Sequence, residues 1–242
     1  MQLIKLDAID STNDFLKDLS QREDVSNFTV VTAENQTKGK GQMGAVWNTE
    51  AGKNLTMSVL IKEVLFDIND IYLLNVAVAL SVIRALNIHN IPYLAIKWPN
   101  DILSANKKIG GILIENSIKG DGRIVSVVGL GLNVNQIDYK NLPKASSLAI
   151  VMNRFFDKEA LLNEIVREME ISVSRLALEA EILWREYQNL LYKNGIPMPF
   201  ETTDGKRFMG IIKRVNPSGQ LEIVMEDDSI ASFEIKQIQM LY

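Results

Sequence analysis

Residues Gln36 to Gly44 read Q-T-K-G-K-G-Q-M-G, a glycine-rich loop with two lysines, and what flanks this loop decides the fold. Before it, Phe28 to Ala33 (F-T-V-V-T-A) is rich in β-branched residues and predicts a buried strand, which delivers Glu34, Asn35 and Gln36 into the loop. After it, Asn48 to Asn54 reads as a turn, and Leu55 to Ile61 (L-T-M-S-V-L-I) alternates as a strand. The loop therefore joins strand to strand. Gly39 to Gly44 matches G-x-G-x-x-G, but a dinucleotide site needs a helix whose N-terminus faces the pyrophosphate, and Val46-Trp47-Asn48 follows instead. Val46 also completes a kinase-like G-x-G-x-x-G-x-V, and Ala95-Ile96-Lys97 resembles the strand lysine of that pattern. No D-F-G exists, however, and His89 is followed by Asn90. What remains is physical: glycines expose N–H groups that form an anion-binding nest, and Lys38 and Lys40 add charge. An ordinary hairpin loop is the alternative reading of the same letters.

Outward from the loop, Gln2 to Ile9 alternates as a strand. Asp10-Ser11-Thr12-Asn13 follows and opens a helix with Phe15, Leu16 and Leu19 at helical spacing. Ser and Thr at that junction suit an N-cap, and three small polar residues in a row also invite a ligand. Asp70 to Leu86 is apolar at successive turns, a helix buried on most sides. Tyr93 to Lys97 is a strand entering Lys97-Trp98-Pro99-Asn100-Asp101, where Pro99 holds Trp98 extended and makes a rigid turn. An exposed Asn100–Asp101 pair there suits Mg²⁺ or an amine, or simply an Asx turn. Lys107-Lys108-Ile109-Gly110-Gly111 puts lysines just before a strand. Beside an anionic ligand Lys108 becomes an electrophilic stabiliser; otherwise it is solvated. Ile109 to Asn116 and Ile124 to Leu130 pair around Lys119 to Gly122, and Gly129 and Gly131 suggest close backbone approach. Asp157 to Asn194 is helical, broken near Ser172 to Ser174, and Gly195 with Pro197 and Pro199 ends it. That places the boundary between residues 1–195 and 196–242. Phe208 to Val215, Gln220 to Met225 and Ile230 to Ile235 are short strands of a small barrel that leans on the larger part.

The totals bound the chemistry. The 242 residues carry a net charge of -4 with no cluster of Lys and Arg, which argues against a nucleic-acid footprint. The first ten residues lack a signal-peptide core, and the run around Val76 to Val82 reads as too short for a bilayer. There is no cysteine, and His89 is the one histidine. Disulfides and thiolate metal sites are thereby excluded, and a histidine-rich metal site or a Ser-His-Asp triad is hard to build. His89 is read as structural. If the chain is an enzyme, its chemistry rests on Lys, Asp, Asn and backbone N–H groups, with or without an oxygen-held Mg²⁺.

Taken in order, Asp10 to Asn13, Glu34 to Gln36, the glycine loop with Trp47, Lys97 to Asp101, Lys108 to Glu115 and Gly129 to Asn133 resemble the biotin–protein ligase (biotin–acetyl-CoA-carboxylase ligase) family over nearly the whole chain. The resemblance implies an α+β fold with a mixed catalytic sheet flanked by helices and a C-terminal SH3-like barrel. It implies two half-reactions: biotin and ATP give biotinyl-5'-adenylate and pyrophosphate, and a lysine of the biotin carboxyl carrier protein then takes the biotinyl group. Under it Ser11, Thr12, Asn13 and Gln36 meet the ureido ring, and Gly39, Lys40, Gly41 and Gln42, with Gly110 and Gly111, wrap biotin and the acyl phosphate. Lys108 contacts the biotin carboxylate and the α-phosphate, with Lys97 and Lys40 adding charge. Trp47 and Asn133 hold the adenine, Asn100 lies on the ATP side, and Asp101 orients or deprotonates the incoming lysine. No protein metal site is expected; Mg²⁺ accompanies ATP.

The loop departs from the family's common G-R-G-R-x-G, because Lys40 and Gln42 stand where both arginines would be. Lys40 keeps charge without a bidentate fork, and Gln42 brings none. Some family members carry an N-terminal helix-turn-helix. This chain begins almost at the first strand, which with the acidic balance argues against DNA binding. The expected setting is cytoplasmic, with no membrane, and a homodimer is left open. A lipoate–protein ligase of similar fold and a non-catalytic biotin sensor remain alternatives.

Overall fold

The computed structural model describes residues 2–62, 71–120 and 122–241. Asp70, the expected helix start, and Asp121, in the expected turn, lie outside them. The first half builds β1 (Gln2–Ile9), α1 (Thr12–Arg22), β2 (Thr29–Gln36), β3 (Leu55–Lys62), α2 (Ile71–Ile88), β4 (Leu94–Lys97), β5 (Asp101–Ser104), β6 (Lys107–Ile118) and β7 (Ile124–Leu132). These strands form one mixed seven-stranded sheet in the order β1-β2-β3-β7-β6-β5-β4. Only β1 and β2 run parallel; the other pairs are antiparallel.

The period of two in the central strands sorts residues onto two faces. On β3, Leu55, Met57, Val59 and Ile61 enter the main core, whereas Leu60 joins a smaller core under α1 with Leu16, Val31, Val125 and Val127. Thr56 and Ser58 therefore share the face of Leu60 and α1. The expectation of simple in-and-out alternation is corrected here: Leu55 to Ile61 is buried throughout, because β3 lies mid-sheet with helices on one side and α1 on the other.

Helix α2 fills the main core face, packed by α4 (Lys158–Ser174) and α5 (Leu176–Asn189). Its run is longer than the sequence suggested and is apolar enough by length and composition to cross a membrane. Here it is a core helix, with Leu74, Val76, Val78, Leu80, Val82 and Leu86 fully enclosed. Each such side chain contributes roughly 1.5–3 kcal/mol relative to exposure. Asp157 N-caps α4, accepting from Glu159 and Ala160 N–H, and the break between α4 and α5 falls at Arg175. His89 packs edge-on against Phe156 and meets Glu164 at 2.6 Å, far from any cavity named below.

Four elements were not anticipated. β5 is four residues long and begins at Asp101, the last residue of the expected turn, so the sequence predicts no strand there. Ala105 and Asn106, both left-handed at φ 47° and 66°, close a tight hairpin from it into β6, so Lys107 and Lys108 lie in the strand and not before it. α3 (Leu148–Met152) is a single short turn. β8 (Pro197–Thr202) was masked by its two prolines. They fit because β12 (Ile238–Met240) pairs only with Phe200 to Thr202. With β9 (Arg207–Val215), β10 (Leu221–Val224) and β11 (Ile230–Phe233) these make a five-stranded antiparallel sheet, order β11-β10-β9-β8-β12, of SH3-like size. It abuts the larger sheet where the Trp98 indole N–H donates to Gly219 C=O at 2.9 Å.

Candidate active site

The α1 face of the large sheet and the C-terminal sheet enclose a cavity of about 290 Å³. Its floor is a polar cluster. Ser11 caps α1 by accepting from Asp14 N–H at 3.4 Å, and this first turn buries Thr12 and Asn13. Gln36, the last residue of β2, turns its side-chain oxygen onto Thr12, accepting from the backbone N–H at 2.7 Å and lying 3.0 Å from the hydroxyl. Ser58 stands beneath, 2.6 Å from Asn13 Oδ1 and 2.8 Å from Thr12 Oγ1, while the Asn13 amide donates to Glu115 at 2.8 Å. Asn13 Oδ1 can only accept, so the single Ser58 proton belongs there. Thr12 then divides its own proton between Ser58 and Gln36. Buried polar groups need partners, and in this arrangement every one has them.

Cations stand beside and beyond this floor. Among the described residues four lysines line the cavity, Lys40, Lys97, Lys108 and Lys236, and no carboxylate does; Lys40 stands by the floor at Asp14, and Lys97 and Lys108 stand together at Asp101. Two carboxylates sit just behind. Asp101 lies 2.6 Å from Lys108 Nζ and 3.7 Å from Lys97 Nζ, and Asp14 lies 2.6 Å from Lys40 Nζ. Burial is the main influence on Lys97 and lowers its pKa. The charges of Lys108 and Lys144 act the same way, and Asp101 opposes them. The hydrogen bond to Asp14 raises that of Lys40. The anticipated exposed pair is not exposed: the Asp101 side chain is 16% accessible, and the Asn100 amide donates to Ile112 C=O at 2.7 Å.

Trp47 spans the middle. Its ring rests over Gly131, where a Cβ would come within 2.3 Å of the indole, and the Lys108 ammonium stands 5.5 Å from its centroid. Its Nε1–H is buried without a partner among the described residues. Gly129 repeats the device one step along β7, where a Cβ would lie 2.5 Å from Asn13 Oδ1.

Of the residues singled out in the sequence, Ser11, Thr12, Asn13, Gln36, Lys40, Gly41, Gln42, Trp47, Lys97, Asn100, Lys108 and Gly111 reach this cavity. Gly39, Gly110 and Asn133 do not line it. Gly39 exchanges a hydrogen bond with the Trp47 backbone at 2.9 Å, Gly110 is buried in β6, and the Asn133 amide donates to Ser146 C=O at 2.9 Å. Lys38 is drawn away by Asp10 at 2.7 Å. Ser58 and the C-terminal wall, including Phe200, Leu221 and Lys236, were missed. A serine inside the apolar strand T-M-S-V-L was the one available signal for Ser58.

The model of the biotin/lipoate A/B protein ligase family matches residues 6–135, which hold the floor, the loop, Trp47 and the Lys97–Asp101–Lys108 cluster. The chain belongs to this family. It is 31% identical over 173 residues to the bifunctional ligase/repressor BirA of Bacillus spizizenii, covering 68% of this chain and 51% of that protein. Thus it spans about half the length of that relative. It is 27% identical over 219 residues to the biotin–[acetyl-CoA-carboxylase] ligase of Mycobacterium tuberculosis, covering 87% of this chain and 79% of the relative. Among solved structures, the biotin protein ligase from Aquifex aeolicus in complex with biotin and ATP superposes with a TM-score of 0.80 at 24% identity, covering 99% of this chain and 98% of that one. The last likeness establishes the fold over both sheets of this family member.

Proposed function

We propose that this chain is a biotin–protein ligase, which activates biotin with ATP as biotinyl-5'-adenylate and passes the biotinyl group to a lysine of a biotin carboxyl carrier protein. The observation that carries the reading is the Thr12–Gln36–Ser58–Asn13 cluster in one cavity with the Lys97–Lys108 pair. A ureido ring offers one carbonyl and two N–H groups, so it can replace the partners that these side chains now give one another. A lipoyl ring has no such set, which favours biotin over the lipoate reading.

In the first half-reaction a biotin carboxylate oxygen attacks the α-phosphorus. The bond to the bridging oxygen breaks and pyrophosphate leaves. Lys108 sits where it can meet both the carboxylate and the developing phosphate charge, and stabilising charge that appears in the transition state is what accelerates the step. Asp101 fixes the Lys108 and Lys97 ammonium groups. Trp47, with an indole donor to spare, offers an apolar face and a hydrogen bond to adenine. In the second half-reaction the carrier amine attacks the acyl carbon, AMP leaves, and one proton is released. Asp101 can receive that amine only if one of its ion pairs opens.

Mg²⁺ enters with ATP as part of the substrate. Among the described residues no group of three or more His, Cys, Asp or Glu side chains is placed to hold a metal, and the nearest carboxylate, Asp101, is committed to lysines. These residues do not fit a resident metal. A division of labour between 1–195, carrying this chemistry, and 196–242, closing the cavity, belongs to the same proposal.

ATP–pyrophosphate exchange with biotin, with lipoate and with neither tests the reading. Exchange only with biotin is expected. Exchange with lipoate would move the chain to the sister activity, and biotin binding without any exchange would make it a sensor.

A further inference from the structure

Lys236 lies in the turn between β11 and β12, remote in sequence from the loop it touches. The turn is clamped at both ends. Glu234 N–H donates to Gln237 Oε1 at 2.7 Å, Gln237 N–H returns to Glu234 C=O at 3.1 Å, and Thr203 N–H donates to Gln237 C=O at 3.1 Å. Lys236 itself is left-handed, φ 69°, a conformation that a lysine rarely adopts without such constraint. Its ammonium crosses to the glycine loop and donates to the Met43 carbonyl, and Met43 is left-handed as well, φ 52°.

Lys236 differs from the other lysines of the cavity. Lys40 has Asp14, and Lys97 and Lys108 have Asp101. Lys236 forms no ion pair among the described residues; its one partner is a neutral carbonyl. It is also exposed, whereas Lys97, Asp101 and Lys108 are partly buried. An ammonium held only by a carbonyl gains from exchanging it for an anion, because hydrogen bonds between charged groups are about twice as strong as neutral ones. Close by, Gln42 supplies no charge to the loop.

We infer that Lys236 is a phosphate-binding residue contributed by the C-terminal sheet: it leaves Met43 for the β- and γ-phosphates of the nucleotide, the part that departs as pyrophosphate. This rests on the proposed ATP chemistry and names a residue of its outer subsite. In the free protein the same ammonium tethers the glycine loop, so nucleotide binding and release of the tether are one event.

The test measures binding by calorimetry on the full chain, with and without biotin. The probes are an α,β-methylene ATP analogue, which cannot be adenylated, and inorganic pyrophosphate. Lys236→Met should weaken both by about tenfold, the effect of one hydrogen bond to a charged group, and Lys236→Arg should recover most of the loss. Unchanged affinities in Lys236→Met overturn the inference. Weakening of the analogue but not of pyrophosphate overturns the assignment to the outer phosphates. Biotin-dependent exchange by the wild type is followed in parallel. Analogue binding without exchange would sink the ligase reading while leaving Lys236 tested, and binding of neither probe would sink both.

Discussion

Lys108 and Asp101 meet at 2.6 Å across the β5–β6 pair, although Lys108 is paired with Leu103 and Asp101 with Gly111, on either side of the slip between Ile102 and Leu103. The irregularity brings an ammonium group toward a carboxylate that also holds Lys97. Asp101→Asn keeps the shape and removes the charge. Two half-buried ammonium groups then lose their counter-ion, which costs about 2–4 kcal/mol of stability. Biotin-dependent exchange should fall at least tenfold. Urea unfolding and exchange assays together check both arms, and a variant with wild-type exchange would remove Asp101 from the machinery.

Lys97 supplies a pH signature. Its folded-state pKa is lowered from the ordinary lysine value of 10.5, chiefly by burial. The folded protein therefore binds fewer protons than the unfolded chain between the two pKa values. In that window the Lys97 contribution makes stability rise with pH, not fall. Activity that needs the Lys97 charge should fail on an alkaline limb below the ordinary lysine value. Lys97→Arg should carry that limb upward, since a guanidinium stays charged. A limb unmoved in the arginine variant would assign it elsewhere.

Ser58→Ala removes the one donor to Asn13 Oδ1 among the described residues, in a buried site. An orphaned buried acceptor costs about 1–3 kcal/mol. Biotin affinity should drop by roughly tenfold as the floor loses its ordered hydroxyls. Titration with biotin and thermal melts would read the two effects separately.

Gly131→Ala and Gly129→Ala separate the two ends of the cavity. The first puts a methyl into the Trp47 ring and should weaken nucleotide binding. The second puts one onto the Asn13 carboxamide and should weaken biotin binding. Crossed effects, with Gly131→Ala harming biotin alone, would reverse the assignment of the two ends.

Gln42→Arg adds a cation to the glycine loop on the cavity wall. Release of preformed adenylate should slow relative to the wild type. Equal release rates, followed by filter binding with labelled biotin, would show that the loop charge does not govern retention.

Much of this was legible before the structure. The strand-loop-strand setting of Gln36 to Gly44 followed from β-branched runs on either side and dismissed the dinucleotide reading, while the missing D-F-G and the Asn90 after His89 dismissed the kinase one. The Ser11 cap, the core helix α2 and the β6–β7 pair followed from local periodicity and turn chemistry. What local pattern could not carry was anything set by partners far along the chain. β5 and β12 are too short to have a period, and β8 hides behind prolines that are harmless only because β12 pairs beyond them. Ser58 read as one polar step of an alternating strand, and only Asn13 and Thr12, distant in sequence, give it a role. Asn133 shows the converse, since a plausible ligand contact on paper spends its amide on Ser146.

Phe200, Leu221, Ile238 and Met240 face the same space as Ser11 and Gln36. A ribosome that has made everything through α5 has made the polar floor and three of the four lysines, yet the space stands open to water on one side. The chamber becomes whole only when the strand at Ile238–Met240 has emerged. Under the proposed activity, chains still in synthesis, or clipped within that last strand, would lack the wall that shields the bound vitamin and its acyl phosphate from water.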